Sequence, residues 1–193
     1  MFEKINKYRT HRKHAKLLGY AQLPKQGKIL DVSCGDGSFV GLLHKSNTKL
    51  ELFGADVSPM AVQRASETQP YAHFIPANAS ALPFPDAYFD VIFCNMSLHH
   101  YTEGKKALEE MRRVLTTSGT LYMMDIVPKN KLIQAISNYI GCYEPYHFEK
   151  FYTAAELQVM AEENGLRLMS WKQLAFFPTL LAMSFNKINQ TSP

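Results

Sequence analysis

The chain has 193 residues, 46% of them hydrophobic and 20% charged, with three cysteines and a net charge of +4. That length suits one globular domain, 1–193, with a core large enough to fold unaided, and leaves no room for a second. The longest apolar stretch, 174–185, is interrupted by Pro178 and too short to cross a bilayer as a helix, and an odd cysteine count without a CxxC pair suggests neither a disulfide framework nor a cysteine metal site.

Residues 1–27 form a basic segment expected to be helical, since eight Lys/Arg stand against Glu3 alone over 1–28, leaving thirteen basic and sixteen acidic residues beyond. Such a segment suits either a solvated helix face or contact with an anionic partner, and the solvated face is the favoured reading. It lacks the apolar run of a secretory signal, so a cytoplasmic location is expected.

Apolar and β-branched runs at 28–32, 50–55, 73–76, 91–95 and 121–126 predict buried strands, with helical patterns at 39–44, 59–68 and 105–115 between them. Ser58 and Pro59 supply an N-cap and a first-turn proline. This alternation predicts an α/β fold, a Rossmann-like doubly wound sheet that is mainly parallel, with ligands beyond the carboxyl ends of the strands. After Ile126 come an apolar stripe, Leu132, Ile133, Ile136 and Ile140, read as core or lid, and an aromatic segment, 142–152. Thr153 with Glu156 makes a capping box for a helix to about 164, and 166–176 with 179–186 read as a closing antiparallel strand pair, for seven strands in all.

Asp31 ends the first strand, and Gly35 and Gly37 lie in the turn after it, around Asp36. Glycine permits positive φ and close ligand approach, and exposed amides can hold an anion. The spacing D-x-S-x-G-x-G is neither that of dinucleotide binders nor a phosphate-binding P-loop, which counts against a nicotinamide oxidoreductase. Asp56, nineteen residues after Gly37, ends the second strand, where a carboxylate can accept from a ribose diol. Loop and acid together indicate a nucleoside cofactor.

With these residues in order, the chain resembles the class I S-adenosylmethionine (SAM)-dependent methyltransferases, in particular the methyltransferase type 11 group, from about residue 29 to 126. ILDVSCGDGSF is similar to their motif I, GADVSPMAVQRA to the second-strand acidic motif, and ANASALPFPDAYFDVIFCNMSLHHY to the third- and fourth-strand block. EEMRRVLTTSGTLYMMDI resembles the segment leading into the fifth strand.

The resemblance implies SAM as cofactor and a small-molecule methyl acceptor with an O, N, S or C nucleophile. Asp31 and the backbone of Ser33, Gly35, Asp36 and Gly37 would then flank the methionine part, and Asp56 would hold the ribose hydroxyls. Val57 would pack on the adenine, Asn78 would accept from its amino group, and the Ala79 backbone would lie beside the ring. Asn95 and Met96 would line the methyl-transfer side. Residues 128–152 would form the substrate-side insert, with Tyr143, Glu144, Tyr146, His147 and Phe148 among its polar and aromatic members, and Tyr8, Arg9, His11 and Arg12 would close from the other side. Three positions depart from the family pattern: Ser33 stands for the first glycine, Asn78 for an aspartate, and TTSGT, 116–120, for a Lys-Pro-Gly-Gly turn.

Methyl transfer from a sulfonium needs alignment and exclusion of water, and no covalent enzyme nucleophile. A base aids acceptors that carry a proton, and His100 in SLHHY is the expected catalytic residue, because adjacent His99 and His100 cannot both point inward from an extended segment. Packing or capping is the competing role for both histidines. No metal is expected, nor a membrane partner, and the molecule should be a monomer or homodimer. A nucleic-acid methyltransferase is the runner-up on the basic N-terminus, opposed by CNMS, 94–97, where base-amine methylation typically shows an Asn/Asp-Pro-Pro-aromatic motif. A non-catalytic SAM-binding protein is the third class.

Overall fold

The structure is a computed structural model that describes residues 2–141, 149–176 and 179–188. The elements run α1 (Phe2–Tyr20), β1 (Gly27–Val32), α2 (Ser38–Ser46), β2 (Leu50–Asp56), α3 (Pro59–Thr68), β3 (His73–Pro76) and β4 (Phe89–Asn95). A 3-10 turn at Leu98–His100 follows, then α4 (Gly104–Val114), β5 (Leu115–Ile126), α5 (Lys131–Gly141), α6 (Ala154–Glu163), β6 (Leu166–Phe176) and β7 (Thr179–Lys187). They build one seven-stranded sheet in the order β3-β2-β1-β4-β5-β7-β6. The first five strands in that order pair in parallel, and β7 runs antiparallel to both β5 and β6.

Strand alternation divides the apolar side chains between two layers. Ile29, Phe93, Tyr122 and Met124 point to the face covered by Leu17 of α1 and Phe39 and Leu43 of α2. Leu30, Ile92, Leu121 and Met123 point to the other, under Leu108 and Met111 of α4 and Leu157 and Met160 of α6. Phe39, Phe89, Phe93 and Phe185 are fully buried, each contributing roughly 1.5–3 kcal/mol by leaving water. Strand order reverses between β1 and β4, and that is where the loops after β1 and β4 part to leave a crevice.

Helix ends follow the caps read from sequence. Ser58 Oγ accepts from the Ala61 N–H with Pro59 at the first turn, and the Thr153–Glu156 capping box is complete in both directions. Two local expectations are corrected. Residues 116–120, expected as a turn, belong to β5: Leu115 pairs with Phe89 and Thr120 with Val91, so the extra residues between them form an irregularity in an extended chain. The threonines there favour extended backbone, which the missing proline no longer interrupts. The SLHHY segment is a 3-10 turn instead of an extended one, closed by His100 N–H to Ser97 O at 2.9 Å and Tyr101 N–H to Leu98 O at 3.0 Å.

The apolar stripe of α5 is not core. Leu132 is 70% exposed, Ile136 52% and Ile140 60%, so the core role expected from sequence is corrected. Cys142, Tyr143, Glu144, Tyr146, His147 and Phe148 lie outside the described residues, as do the side chains of Tyr8 and Arg9. No helix among the described residues is long and apolar enough to cross a membrane.

Candidate functional site

The loop after β1 is shaped by its own backbone. Cys34 N–H donates to Ala55 O at 3.1 Å, tying the loop to the end of β2, and Gly37 N–H donates to Cys34 O at 3.0 Å, closing the turn. Gly37 has φ 74°, and a β-carbon there would stand 3.1 Å from Ala65 Cβ and from the Phe74 ring. Gly35 has φ 54°, but a β-carbon on it would meet nothing within 4 Å. Packing therefore demands glycine at 37, whereas at 35 the space above the loop is open to a ligand. Asp36 is exposed and turned the other way, accepting from Ser38 N–H at 3.0 Å to begin α2.

Asp56 is fixed at both oxygens. Oδ2 accepts from Gly35 N–H and Oδ1 from Ser58 N–H, each at 2.9 Å. Each oxygen retains a lone pair, which suits a pair of vicinal hydroxyls. Beside it Val57 is 72% exposed, an apolar side chain held at the mouth of a cleft of about 480 Å³. Ser33, Asn78, Ala79, Ser80, His100 and Glu103 line the same cleft. Its size falls within the range of small-molecule sites.

Ser33 keeps the left-handed turn that a glycine would favour, with φ 60°, and its hydroxyl is 2.8 Å from the Tyr101 hydroxyl. Tyr101 in turn donates to Ser97 Oγ at 3.1 Å. The buried Tyr101 phenol is held well above its usual pKa, chiefly by desolvation. The β-carbon at Ser33 is thus accommodated by a side-chain bridge from the loop to the segment after β4. Tyr101 closes the SLHHY run, but its sequence carries no sign of which partner the hydroxyl meets.

Two buried acceptor atoms near the ends of adjacent strands, Asp31 Oδ1 and Asn95 Oδ1, have no hydrogen-bond partner among the described residues. Desolvation, with help from the Asp56 charge, raises the Asp31 carboxyl well above the ordinary range. Burial of an unpaired acceptor is costly unless a ligand satisfies it. The molecule that fits here carries a cation and hydrogen-bond donors near Asp31, a diol at Asp56 and a flat ring at Val57. SAM has all three, so the residues present fit that cofactor. Met96, next along, adopts φ 56° and donates its N–H to Met124 O at 2.7 Å, a backbone strain of the kind found at functional sites.

The two histidines divide. His99 is buried, its Nδ1 lies 2.5 Å from Asp125 Oδ1, and its N–H donates to Asp125 Oδ2 at 3.3 Å. His100 stands in the wall of the cleft with Val57 and Asn78. On the opposite flank, His14 of α1 packs edge-on against Phe39 at 5.2 Å, and burial lowers its pKa to about 4. His11 and Arg12 are exposed. Among the described residues no three His, Cys, Asp or Glu side chains gather as a metal site.

Sequence reasoning passed over Ser80, Tyr101, Glu103 and Asp125. Only Tyr101 and Asp125 had a local signal, since each adjoins a segment already marked at a strand end.

A family profile described as a methyltransferase domain matches residues 30–123. A demethylmenaquinone methyltransferase of Deinococcus radiodurans is 33% identical over 105 residues, covering 52% of this chain and 44% of that protein. A ubiquinone/menaquinone biosynthesis C-methyltransferase, UbiE, of Campylobacter jejuni is 26% identical over 179 residues, covering 80% of this chain and 76% of that one. The chain spans about half the length of the first curated relatives it matches. Among solved structures, a chain of the Haloferax volcanii complex between the Trm112 methyltransferase activator and a methyltransferase superposes with a TM-score of 0.85 at 16% identity, covering 98% of this chain and 94% of that one. A SAM-dependent methyltransferase from Aquifex aeolicus gives 0.74 at 22% identity, covering 95% and 96%. These structural likenesses establish the fold, and over residues 30–123, the stretch that carries the motifs in order, the chain matches the methyltransferase domain of the type 11 group.

Proposed function

We infer that the chain transfers the methyl group of SAM to a small, flat or apolar acceptor. The observation that carries this reading is the set of unmet groups along one crevice: the unpartnered Asp31 oxygen, the doubly anchored Asp56, and exposed Val57 over a ready-made cleft. SAM supplies an electrophilic methyl on a sulfonium. Asp31 offers a negative charge to the cofactor's ammonium and, as it loses its proton, exchanges a desolvated acid for an ion pair. Asp56 holds the ribose hydroxyls, and the open space above Gly35 allows the methionine part to lie against the backbone. Asn95 accepts from a donor on the transfer side, and Met96 excludes water there.

The acceptor class is read from the far side. Ile126, Val127, Pro128, Ile133 and Phe176 line a second, mainly apolar hollow of about 280 Å³. The Deinococcus relative is named for a demethylated menaquinone and the Campylobacter relative for quinone biosynthesis, which supports an aromatic or quinol-like acceptor. For an acceptor that must lose a proton, His100 is the base expected from sequence. The Asp125 contact makes His99 the second candidate, because a carboxylate at Nδ1 fixes the orientation of the ring. A cytoplasmic location and a monomeric or homodimeric state belong to the same reading.

Calorimetric titration with SAM, followed by methyl release against a panel of quinols, phenols, thiols and amines, tests it. Micromolar binding and turnover on a flat aromatic acceptor are expected. Tight binding with no turnover over the whole panel points instead to a SAM-binding protein without catalysis.

A further inference from the structure

The adenine end of the cleft has an unusual distribution of acceptors. Adenine presents an amino donor, so its recognition requires an acceptor. Asn78 stands where the family places an aspartate, yet its Oδ1 is turned back into its own loop, accepting from Ser80 N–H at 3.0 Å with Ser80 Oγ also at 3.0 Å. This Asx turn fixes the amide's orientation, because the Ser80 N–H needs the oxygen. The donor that the Asn78 side chain brings is its NH2, which matches a 6-oxo purine better than a 6-amino one.

Across the same cleft lies Glu103. It occupies the N-cap of α4 but makes no capping bond with its side chain, so the carboxylate is not consumed by the helix. The single hydroxyl hydrogen of Ser80 is within reach of Glu103 Oε2, at 3.1 Å, as well as of Asn78 Oδ1, and given to Glu103 it ties the carboxylate to the Asn78 turn, which the Ser80 N–H still closes. The remaining contact of Glu103 is Lys106 Nζ at 3.6 Å from Oε1, an ion pair more than half exposed on both sides and weak for that reason. A carboxylate accepts at about four lone-pair sites.

The geometry points to Glu103, held by Ser80, as the residue that accepts from the cofactor's 6-amino group and selects adenine over 6-oxo purines, in place of Asn78. This rests on the cleft being the SAM site. Glu103 acts on the cofactor's base and leaves the transferred methyl untouched.

The test measures binding of S-adenosylhomocysteine and of its 6-oxo counterpart, S-inosylhomocysteine, to the whole chain. Wild type is expected to prefer the adenine compound by about tenfold or more, the scale of one charge-assisted hydrogen bond. Glu103→Ala should weaken the adenine compound by about tenfold while leaving the 6-oxo compound unchanged or tighter. Adding Asn78→Asp to that variant should restore the preference, since the second carboxylate oxygen then replaces the NH2. Thermal melting checks that the variants fold, as the exposed position of Glu103 predicts. An equal loss for both compounds, or none for either, overturns the assignment. Equal binding of both compounds by wild type also overturns it while leaving the cofactor site standing. Binding of neither compound by wild type removes the site reading and this inference with it.

Discussion

The two sides of the crevice are built differently. On the cofactor side, polar groups are cross-braced before any ligand arrives: Asp56 holds Gly35 and Ser58, Asn78 holds Ser80, and Ser33 is bridged to Tyr101. On the side proposed for the acceptor, α5 turns Leu132, Ile136 and Ile140 to solvent. Side-chain anchors there include Gln134 Nε2 to Phe151 O at 2.8 Å and Phe151 N–H to Asn138 Oδ1 at 2.9 Å. Preorganisation is therefore concentrated where the cofactor is proposed to bind, and exposed apolar surface where the acceptor is proposed to lie.

The largest effect expected from breaking the braced side is at Asp56. Asp56→Ala removes the ribose acceptor and frees the Gly35 and Ser58 amides, so SAM affinity should fall by at least about a hundredfold, as for loss of several hydrogen bonds to a charged group. Stability should fall by about 2 kcal/mol, from the two amides that lose their partner. Calorimetry and denaturant titration measure the two separately.

Asp31→Asn gives opposite signs in the two measurements. A carboxyl whose folded pKa lies above its unfolded value stabilises the fold at acidic pH, and that contribution is lost as pH rises through the folded value. The cofactor-free protein should therefore melt higher at neutral pH as Asp31→Asn, while its SAM affinity drops about tenfold with the lost ion pair. His14 adds a dependence in the reverse direction. Its folded pKa of about 4 lies below 6.5, so its contribution is complete above pH 6.5 and is lost as pH falls from there towards 4. Melting curves of His14→Gln across that interval should be flatter than those of wild type.

The histidine pair sharpens the boundary between the sides. If the acceptor loses a proton to His99, Asp125→Asn should lower kcat about tenfold or more, with SAM affinity unchanged. If His100 is the base, His100→Gln gives the kcat loss and Asp125→Asn leaves kcat in place.

Smaller effects lie at the Ser33 bridge and on α5. Ser33→Gly with Tyr101→Phe in a double-mutant cycle should show a coupling of about 0.5–1.5 kcal/mol. Ile136→Asn on α5 should raise the KM for the acceptor several-fold and leave SAM affinity as it was, since Ile136 is half exposed and packs no core.

The cofactor side was also the legible side. Strand ends at Val32, Asp56 and Asn95 follow from apolar runs of fixed length, and the turn at Gly35 and Gly37 from residue type, so local sequence suffices for both. What sequence could not show depends on contacts between segments far apart in the chain. Ser33 meets Tyr101 across 68 positions, and His99 meets Asp125 across 26. The α5 stripe has the spacing of a core helix, and periodicity alone cannot tell a face packed on the sheet from one left outside. TTSGT was read by analogy with a turn, while its threonines set the backbone as strand.

The most direct test of the central claim is calorimetric titration of S-adenosylhomocysteine into wild type and Gly35→Asp. Because a side chain at 35 enters open space above the loop, the variant should stay folded, with a cost of about 1 kcal/mol from its positive φ. The account predicts one site per chain in wild type and no measurable binding in folded Gly35→Asp. Unchanged affinity in that variant, or no binding by wild type, would contradict it.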